Sequence, residues 1–319
     1  MLALSSLIFA VVPIALYLWA IWAMDRYDRE PLGLLLANFA WGALGAVVLA
    51  IIFSVIGSLL FGTDEQQDAI YVAPVVEETI KGVFLLWTVR RRAFDNTTDG
   101  IVYGMAIGLG FGMTENFLYF LNAATVGEWV MLVVVRTLFA ALMHAMATGI
   151  VGAMVGATKF ELRRFRWPLR LGGLLLAMFT HYFWNHSVTQ GSMISVAVGM
   201  LFIVLSLVVI VVVLQLALLS ENRLIMRELS EESADGVIPA VHLNYLPYSS
   251  KRRIVGWLPP TLDKRRYVQL ATRLAFRKAQ HRSCEEELRD EYADEVSQLR
   301  ADITALLRSE DESPAARLF

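Results

Sequence analysis

Of the 319 residues only one is a cysteine, Cys284, and it lies in a polar stretch well after the last apolar run. No disulfide framework can form, and no cysteine nucleophile is available among the apolar segments. Charge is also scarce: 18% of residues are Asp, Glu, Lys or Arg, against 56% hydrophobic. A water-soluble domain of this length is not so apolar. Two hydrolase signatures are missing, the His-Glu-x-x-His zinc-protease helix and the Gly-x-Ser-x-Gly serine elbow. Residues 1–24 have no basic leader and are too long for a signal-peptide core, so they read as a first membrane span.

What is present is a series of apolar runs of membrane-crossing length. Seven spans can be drawn, at roughly 2–24, 33–61, 69–89, 100–122, 129–157, 169–190 and 193–219, each near the ~20 residues that cross a bilayer. The net charge of −2 hides a sorting of charge between loops. Arg26 and Arg29 follow the first span, Arg90 to Arg92 the third, and five basic residues lie between Lys159 and Arg170; the alternate loops carry none. Positive loops stay cytoplasmic, so the N-terminus is expected outside and the C-terminus inside. Gly104, Gly108 and Gly112, with Gly152 and Gly156, have the fourth-residue spacing that lets membrane helices pack backbone to backbone. The expected fold is all-α, a polytopic helical bundle with a cytoplasmic helical tail.

Within these runs stand groups that hydrocarbon does not tolerate. Glu77, Glu78 and Lys81 share one face of the third span, because positions three and four apart are helix neighbours. Pro74 just before them marks a kink or a local helix start. The fourth span carries Glu115, Asn116 and Tyr119, the fifth Arg136 and His144, and the sixth His181 and Asn185 with His186 beside them. An intramembrane charge that is neither paired nor wetted costs several kcal/mol, so each is a functional candidate. With chain direction alternating and ~1.5 Å of rise per residue, Glu77 and Glu78 lie about 12–15 Å below the outer end of their span, His181 about 14 Å and Glu115 about 10 Å. Acids, imidazoles and an amide from separate helices therefore share one slab of the membrane. Arg136 is expected to snorkel toward the outer interface.

Such a set supports hydrolysis of an amide, with a carboxylate that activates water and polar groups that stabilise an oxyanion. Glu77 is the expected base, with little to separate it from Glu78, and Lys81 sets charge and orientation. His144 would share the proton, with Glu115 and Asn116 in support beside Tyr119 and Arg136, and His181 and Asn185 would hold the oxyanion. No cofactor is favoured, although Glu77, Glu78, His144 and His181 would be the ligands if zinc were bound. Two other readings are open, a proton-coupled transporter built on the same acids and imidazoles and a non-catalytic scaffold.

The Glu77-Glu78-Thr79-Ile80-Lys81 motif resembles the acidic motif of the PrsW intramembrane proteases. Phe111 to Tyr119, Arg136 to His144, and His181 to Asn185 are similar to three further motifs of that family, and Asp25 to Pro31 to its early loop. The likeness covers about residues 1–220. It implies glutamate-dependent cleavage of a membrane protein within the bilayer of a prokaryotic cell, of site-1 type, with an anti-sigma factor as one candidate substrate. The related CAAX prenyl endopeptidases carry Arg one residue after the Lys81 position and His at the position of Glu115.

After Ser220 the composition changes. Residues 221–260 are expected to extend the last helix and then form a linker without regular structure, given Pro239, Pro247, Pro259 and Pro260. Residues 261–319 are expected to be a charged helical tail, split by a capping box at Ser283 and Glu286. Its mixed charges argue for a solvated face and against nucleic acid; a cytoplasmic partner of this tail is left as an open expectation, and its charges do not name one.

Overall fold

In the computed structural model, residues 2–160, 163–284 and 286–311 are described; they contain helices and no strand. Each apolar run becomes a helix because a chain in hydrocarbon must satisfy its backbone polar groups within itself. α1 spans Leu2–Met24 and α2 Leu32–Phe61; α3 is Ala73–Thr88 and α4 Thr97–Leu121. α5 is Val126–Ala157, α6 Arg163–Thr189 and α7 Met193–Ala234. Four of them, α1, α2, α5 and α7, are by length and composition able to cross a membrane. The count of seven crossings expected from sequence therefore exceeds what apolar length alone supports. The remaining three expected spans, at α3, α4 and α6, are helices that carry most of the ionisable residues.

The chain divides into two compact units. The first comprises Met1–Asp25 and Arg29–Gln215, the second Arg26–Asp28 and Leu216–Phe319.

In the first unit α4 is the central element, and glycine decides how closely it is approached. A Cβ on Gly104 would fall on the Thr148 carbonyl, and one on Gly108 on the carbonyl of His144. α4 and α5 thus touch through their backbones, which brings the side chains flanking those glycines into range of each other. Among the described residues of this unit are three π-helical turns, each adding a residue to the local turn: Trp41–Ala46, Asp68–Val72 and Arg136–Ala140. Such bulges re-aim the side chains that follow them. The one at Asp68–Val72 ends where α3 begins, with Pro74 in its first turn, so the sequence signal at Pro74 corresponds to a helix start. Trp41 stacks on Phe84, ring centroids 5.0 Å apart, and its indole N–H donates to the Ile80 carbonyl at 3.4 Å. These contacts fix the face of α3 that bears the acids.

The second unit corrects two expectations. The proline-rich stretch is not a linker without regular structure. It forms two short 3-10 helices, Ala240–Asn244 and Lys251–Arg253. Ile238, Leu246 and Leu258 from it join a buried core with Ile225 and Leu229 of α7. α8 (Lys264–Ser283) and α9 (Arg289–Asp311) complete that core through Tyr267, Leu274, Val296 and Ile303. Prolines ended the long helix but left short turns that can still bury apolar side chains. The break between α8 and α9 falls near Ser283, yet Ser283 is the last residue of α8 and its hydroxyl donates back to the Ala279 carbonyl. It is therefore not the N-cap expected there.

Candidate active site

The Lys81 ammonium is the hub of the ionisable residues in the first unit. It is fully buried, and it lies 2.8 Å from Glu78 Oε1, 3.3 Å from Glu77 Oε2 and 2.9 Å from His144 Nδ1. The helical spacing of the acids supplies the first two contacts and the close packing of α5 on α4 is associated with the third. An ammonium has three protons and no lone pair. Lys81 must therefore donate to His144 Nδ1, and neutral His144 carries its proton on Nε2. That nitrogen lies 2.6 Å from Glu115 Oε2, the geometry of a donor facing a carboxylate. The tautomer of His144 follows from its two partners.

Glu115 also meets the Arg136 guanidinium at 2.8 Å. Arg136 donates from Nε to Asn116 Oδ1 at 3.1 Å, and the Asn116 amide returns a bond to the Arg136 carbonyl at 3.3 Å. The guanidinium carbon sits 3.6 Å from the centre of the Tyr119 ring. Arg136 was expected to reach the interface; instead it turns inward onto Glu115, because the π-helical turn that starts at this residue re-aims it. On the other side, His181 Nδ1 lies 3.0 Å from Glu78 Oε1 and 3.9 Å from Glu77 Oε2. The rings of His144 and His181 meet edge to face at 4.9 Å.

The two glutamates differ sharply. Glu78 is 0% exposed, and both of its oxygens are engaged: Oε1 by Lys81 and His181, Oε2 by the Thr148 hydroxyl at 3.3 Å. The Glu77 side chain is 12% exposed, and among the described residues its ion-pair contacts are the longer ones to Lys81 and His181. Asn185 does not join the centre. Its amide donates to the Ala69 carbonyl at 2.8 Å, which ties α6 to the turn preceding α3. His186 points elsewhere, toward Gln190 and the Tyr182 ring.

Two further participants were given no role in the reading of the sequence, although Phe111 opens the fourth-span motif. Thr148 lies four residues after His144 and so on the same helical face, a signal that was available. The Phe111 ring lies 3.8 Å from the Lys81 ammonium as a cation–π partner, and only tertiary packing shows this.

The fold and this centre define a class: a membrane-embedded helical bundle with a buried carboxylate–ammonium–imidazole network. A family model described as PrsW family intramembrane metalloprotease matches residues 30–215. The chain is similar to Protease PrsW of Geobacillus kaustophilus (strain HTA426), 31% identical over 158 residues, which is 49% of this chain and 68% of that protein. Protease PrsW of Bacillus subtilis (strain 168) is 31% identical over 143 residues, 44% of this chain and 63% of its own length. Protease PrsW of Oceanobacillus iheyensis is 29% identical over 188 residues, covering 57% and 82%. No solved structure matches the chain. The chain belongs to the PrsW family of intramembrane proteases.

The family description implies a metal, and the donor types suit zinc. Glu77, Glu78, His144 and His181 offer ligand atoms that all lie within 4.8 Å of one another. The same groups already surround an ammonium. The Lys81 ammonium already contacts three of the four ligand groups, and it would repel a divalent cation placed among them.

Proposed function

We propose that this chain hydrolyses a peptide bond of a membrane protein with water activated by Glu77, and that Lys81 does the work of a cation in the centre. The asymmetry between the two glutamates carries this reading. A general base must reach water and substrate, and Glu77 is the partly exposed acid with accepting capacity to spare. Glu78, saturated by Lys81, His181 and Thr148, is a positioning residue.

In the reaction, Glu77 takes a proton from water as the water oxygen attacks the scissile carbonyl carbon. The tetrahedral oxyanion then collapses, the C–N bond breaks, and Glu77 returns the proton to the leaving amine nitrogen. His181, held at Nδ1 by Glu78, offers Nε2 to the oxyanion and stabilises it when that nitrogen carries a proton. His144, with both ring nitrogens occupied, links Lys81 to Glu115 and holds the ammonium in place; it does not share the water's proton in this scheme. Asn185 braces the start of α3 in place of the oxyanion role first expected of it. The substrate class is a single-pass membrane protein, an anti-sigma factor being the candidate the resemblance supplies. The basic loops support an outside N-terminus and an inside C-terminus.

The test is cleavage of co-expressed single-pass membrane proteins by wild type, Glu77→Gln and Glu78→Gln, each with and without a chelator. Loss of base catalysis should lower the Glu77→Gln rate by roughly 10²–10⁴-fold, with the chelator without effect. Cleavage abolished by chelation and restored by zinc would overturn the metal-free scheme. Proton flux in liposomes without any acid-dependent cleavage would favour the transporter.

A further inference from the structure

The second unit carries its own concentration of positive charge. Between Tyr245 and Val268 stand six basic residues, Lys251, Arg252, Arg253, Lys264, Arg265 and Arg266, against one acid, Asp263. Arg252 is buried and holds the loop together. It donates from Nε to the Leu246 carbonyl at 2.7 Å and from Nη2 to the Thr272 hydroxyl at 2.8 Å. Lys251 and Arg253 on either side of it are exposed. The chain then turns at Ile254-Val255-Gly256. Gly256 has φ +89°, a left-handed conformation that a side chain would oppose. Two bonds close the base of this tip: the Lys264 ammonium donates to the Ile254 carbonyl at 2.7 Å, and the Trp257 indole to the Arg252 carbonyl at 3.5 Å. Ile254 is left 49% exposed and Val255 92%.

The ordinary reading of such a stretch is a solvated basic loop. The tip does not fit it, because an apolar pair at the most exposed point of a cationic loop gains nothing from water. Position along the chain supplies a second, independent argument. Asn222 of α7 is three residues past Leu219, where the apolar run ends, and so about 4.5 Å beyond it along the helix. Its amide donates to the Pro247 carbonyl at 2.6 Å and to the Tyr27 hydroxyl at 3.2 Å. Arg252 in turn donates to the Tyr27 carbonyl at 3.4 Å. Tyr27 follows the last residue of α1 by three positions, roughly 10 Å of chain at most. The loop is thus fixed, at Pro247 and at Arg252, to two chain positions that each lie three residues beyond an apolar run. That is the depth of lipid headgroups, where cations meet anionic phosphates and apolar side chains reach the first methylenes.

We propose that the Ile254–Val255 tip, flanked by Lys251 and Arg253, docks on the bilayer from which α7 emerges. The cations engage the phosphates of anionic lipids, and the apolar pair enters between the headgroups. Docking gives the second unit an attachment to the membrane besides the helix α7 itself.

The experiment uses the full chain with Cys284→Ser and Val255→Cys, so that an environment-sensitive fluorophore is attached at the tip alone. It is reconstituted in nanodiscs of phosphatidylcholine, with and without phosphatidylglycerol, with nitroxide-bearing acyl chains as quencher. Emission should shift to the blue and be quenched in the anionic discs and not in the phosphatidylcholine discs. High salt should reverse the change, because exposed charges are screened. Lys251→Gln/Arg253→Gln should weaken docking roughly tenfold or more, at about fivefold per cation, with the unfolding midpoint in detergent unchanged. Glu77→Gln added to the labelled chain should leave docking as it is, which separates this surface from the Glu/His centre. A tip that stays in water in both kinds of disc, as it would if this face took an acidic protein partner, would overturn the proposal. So would equal quenching in both, or quenching that survives Lys251→Gln/Arg253→Gln.

Discussion

Both units bury glutamates against basic residues, and the company each glutamate keeps separates a reactive centre from an architectural one. In the second unit Glu228 and Glu232 of α7 are fully buried. Glu232 meets Lys278 at 2.6 Å and receives a two-pronged bond from Arg300 at 2.7 and 2.8 Å. Glu228 is met by Arg227 at 2.8 Å and Arg282 at 3.1 Å. These partners, three guanidiniums and an ammonium, stay charged throughout the ordinary pH range, so the network has no proton to lend. In the first unit one ammonium serves two glutamates, and imidazoles fill the remaining places. That arrangement leaves Glu77 short of donors and places titratable nitrogens beside it. Under-compensation is what makes an acid available as a base.

Removing the hub should have the largest effect. Lys81→Met leaves Glu77 and Glu78 facing each other without their shared cation. Breaking a buried pair in this way costs about 3–5 kcal/mol, which denaturation of the purified protein should register, and cleavage should cease. The same substitution removes the ammonium that competes with a metal, so zinc affinity measured by calorimetry should rise. A Lys81→Met chain that neither loses stability nor gains zinc affinity would break the contrast, since Lys81 would then not be compensating the acids. Arg300→Ala in the second unit is a milder counterpart, because Glu232 retains Lys278 and the Arg300 side chain is 41% exposed.

Next in size is the backbone contact that holds the first network together. A Cβ at Gly108 would overlap the His144 carbonyl, so Gly108→Ala must push α4 away from α5 and lengthen the 2.6 Å Glu115–His144 contact. Overpacking of this kind costs about 1–3 kcal/mol. Cleavage should fall more than stability, because the displacement falls on the network itself. Gly172, which has open space around it, provides the control: Gly172→Ala should change neither.

How much of this could be read beforehand depends on the range of the interaction. Glu77, Glu78 and Lys81 are three and four residues apart, so helical periodicity alone assigns them to one face. The glycine spacing likewise indicated a close helix pair. The inward turn of Arg136 was not legible, because it depends on a π-helical turn with no composition of its own. Asn185 shares a motif with His181, yet its amide reaches Ala69, 116 positions away in sequence, and spacing cannot show that. The folded proline-rich stretch failed for the same reason. Ile238 and Leu258 look like isolated apolar residues until α8 and α9 cover them.

The smallest predicted effect concerns pH and falls on the second unit alone. His242 is buried, and burial depresses its pKa below the ordinary 6.5. Its neutral Nδ1 accepts the Tyr267 hydroxyl at 2.8 Å. Burial would raise the pKa of Glu232, but hydrogen bonds from Arg300 and Lys278 outweigh it and hold the carboxyl below its ordinary 4.5. Both shifts have the same sign in stability. For each group the unfolded chain binds a proton at a higher pH than the folded one, so acid favours unfolding. The His242 contribution is complete above pH 6.5 and is lost as pH falls through the depressed value; the Glu232 contribution begins to fail only below 4.5. Hydrogen exchange of α8 amides, corrected for intrinsic rates, should therefore show protection falling in two steps. His242→Phe should erase the upper step and leave the lower one. Arg300→Ala should narrow the lower step and leave the upper. A single step insensitive to His242 would mean that acid opens this unit through its ion pairs alone, so that its buried histidine, unlike those of the Glu77 centre, has no part in its response to protons.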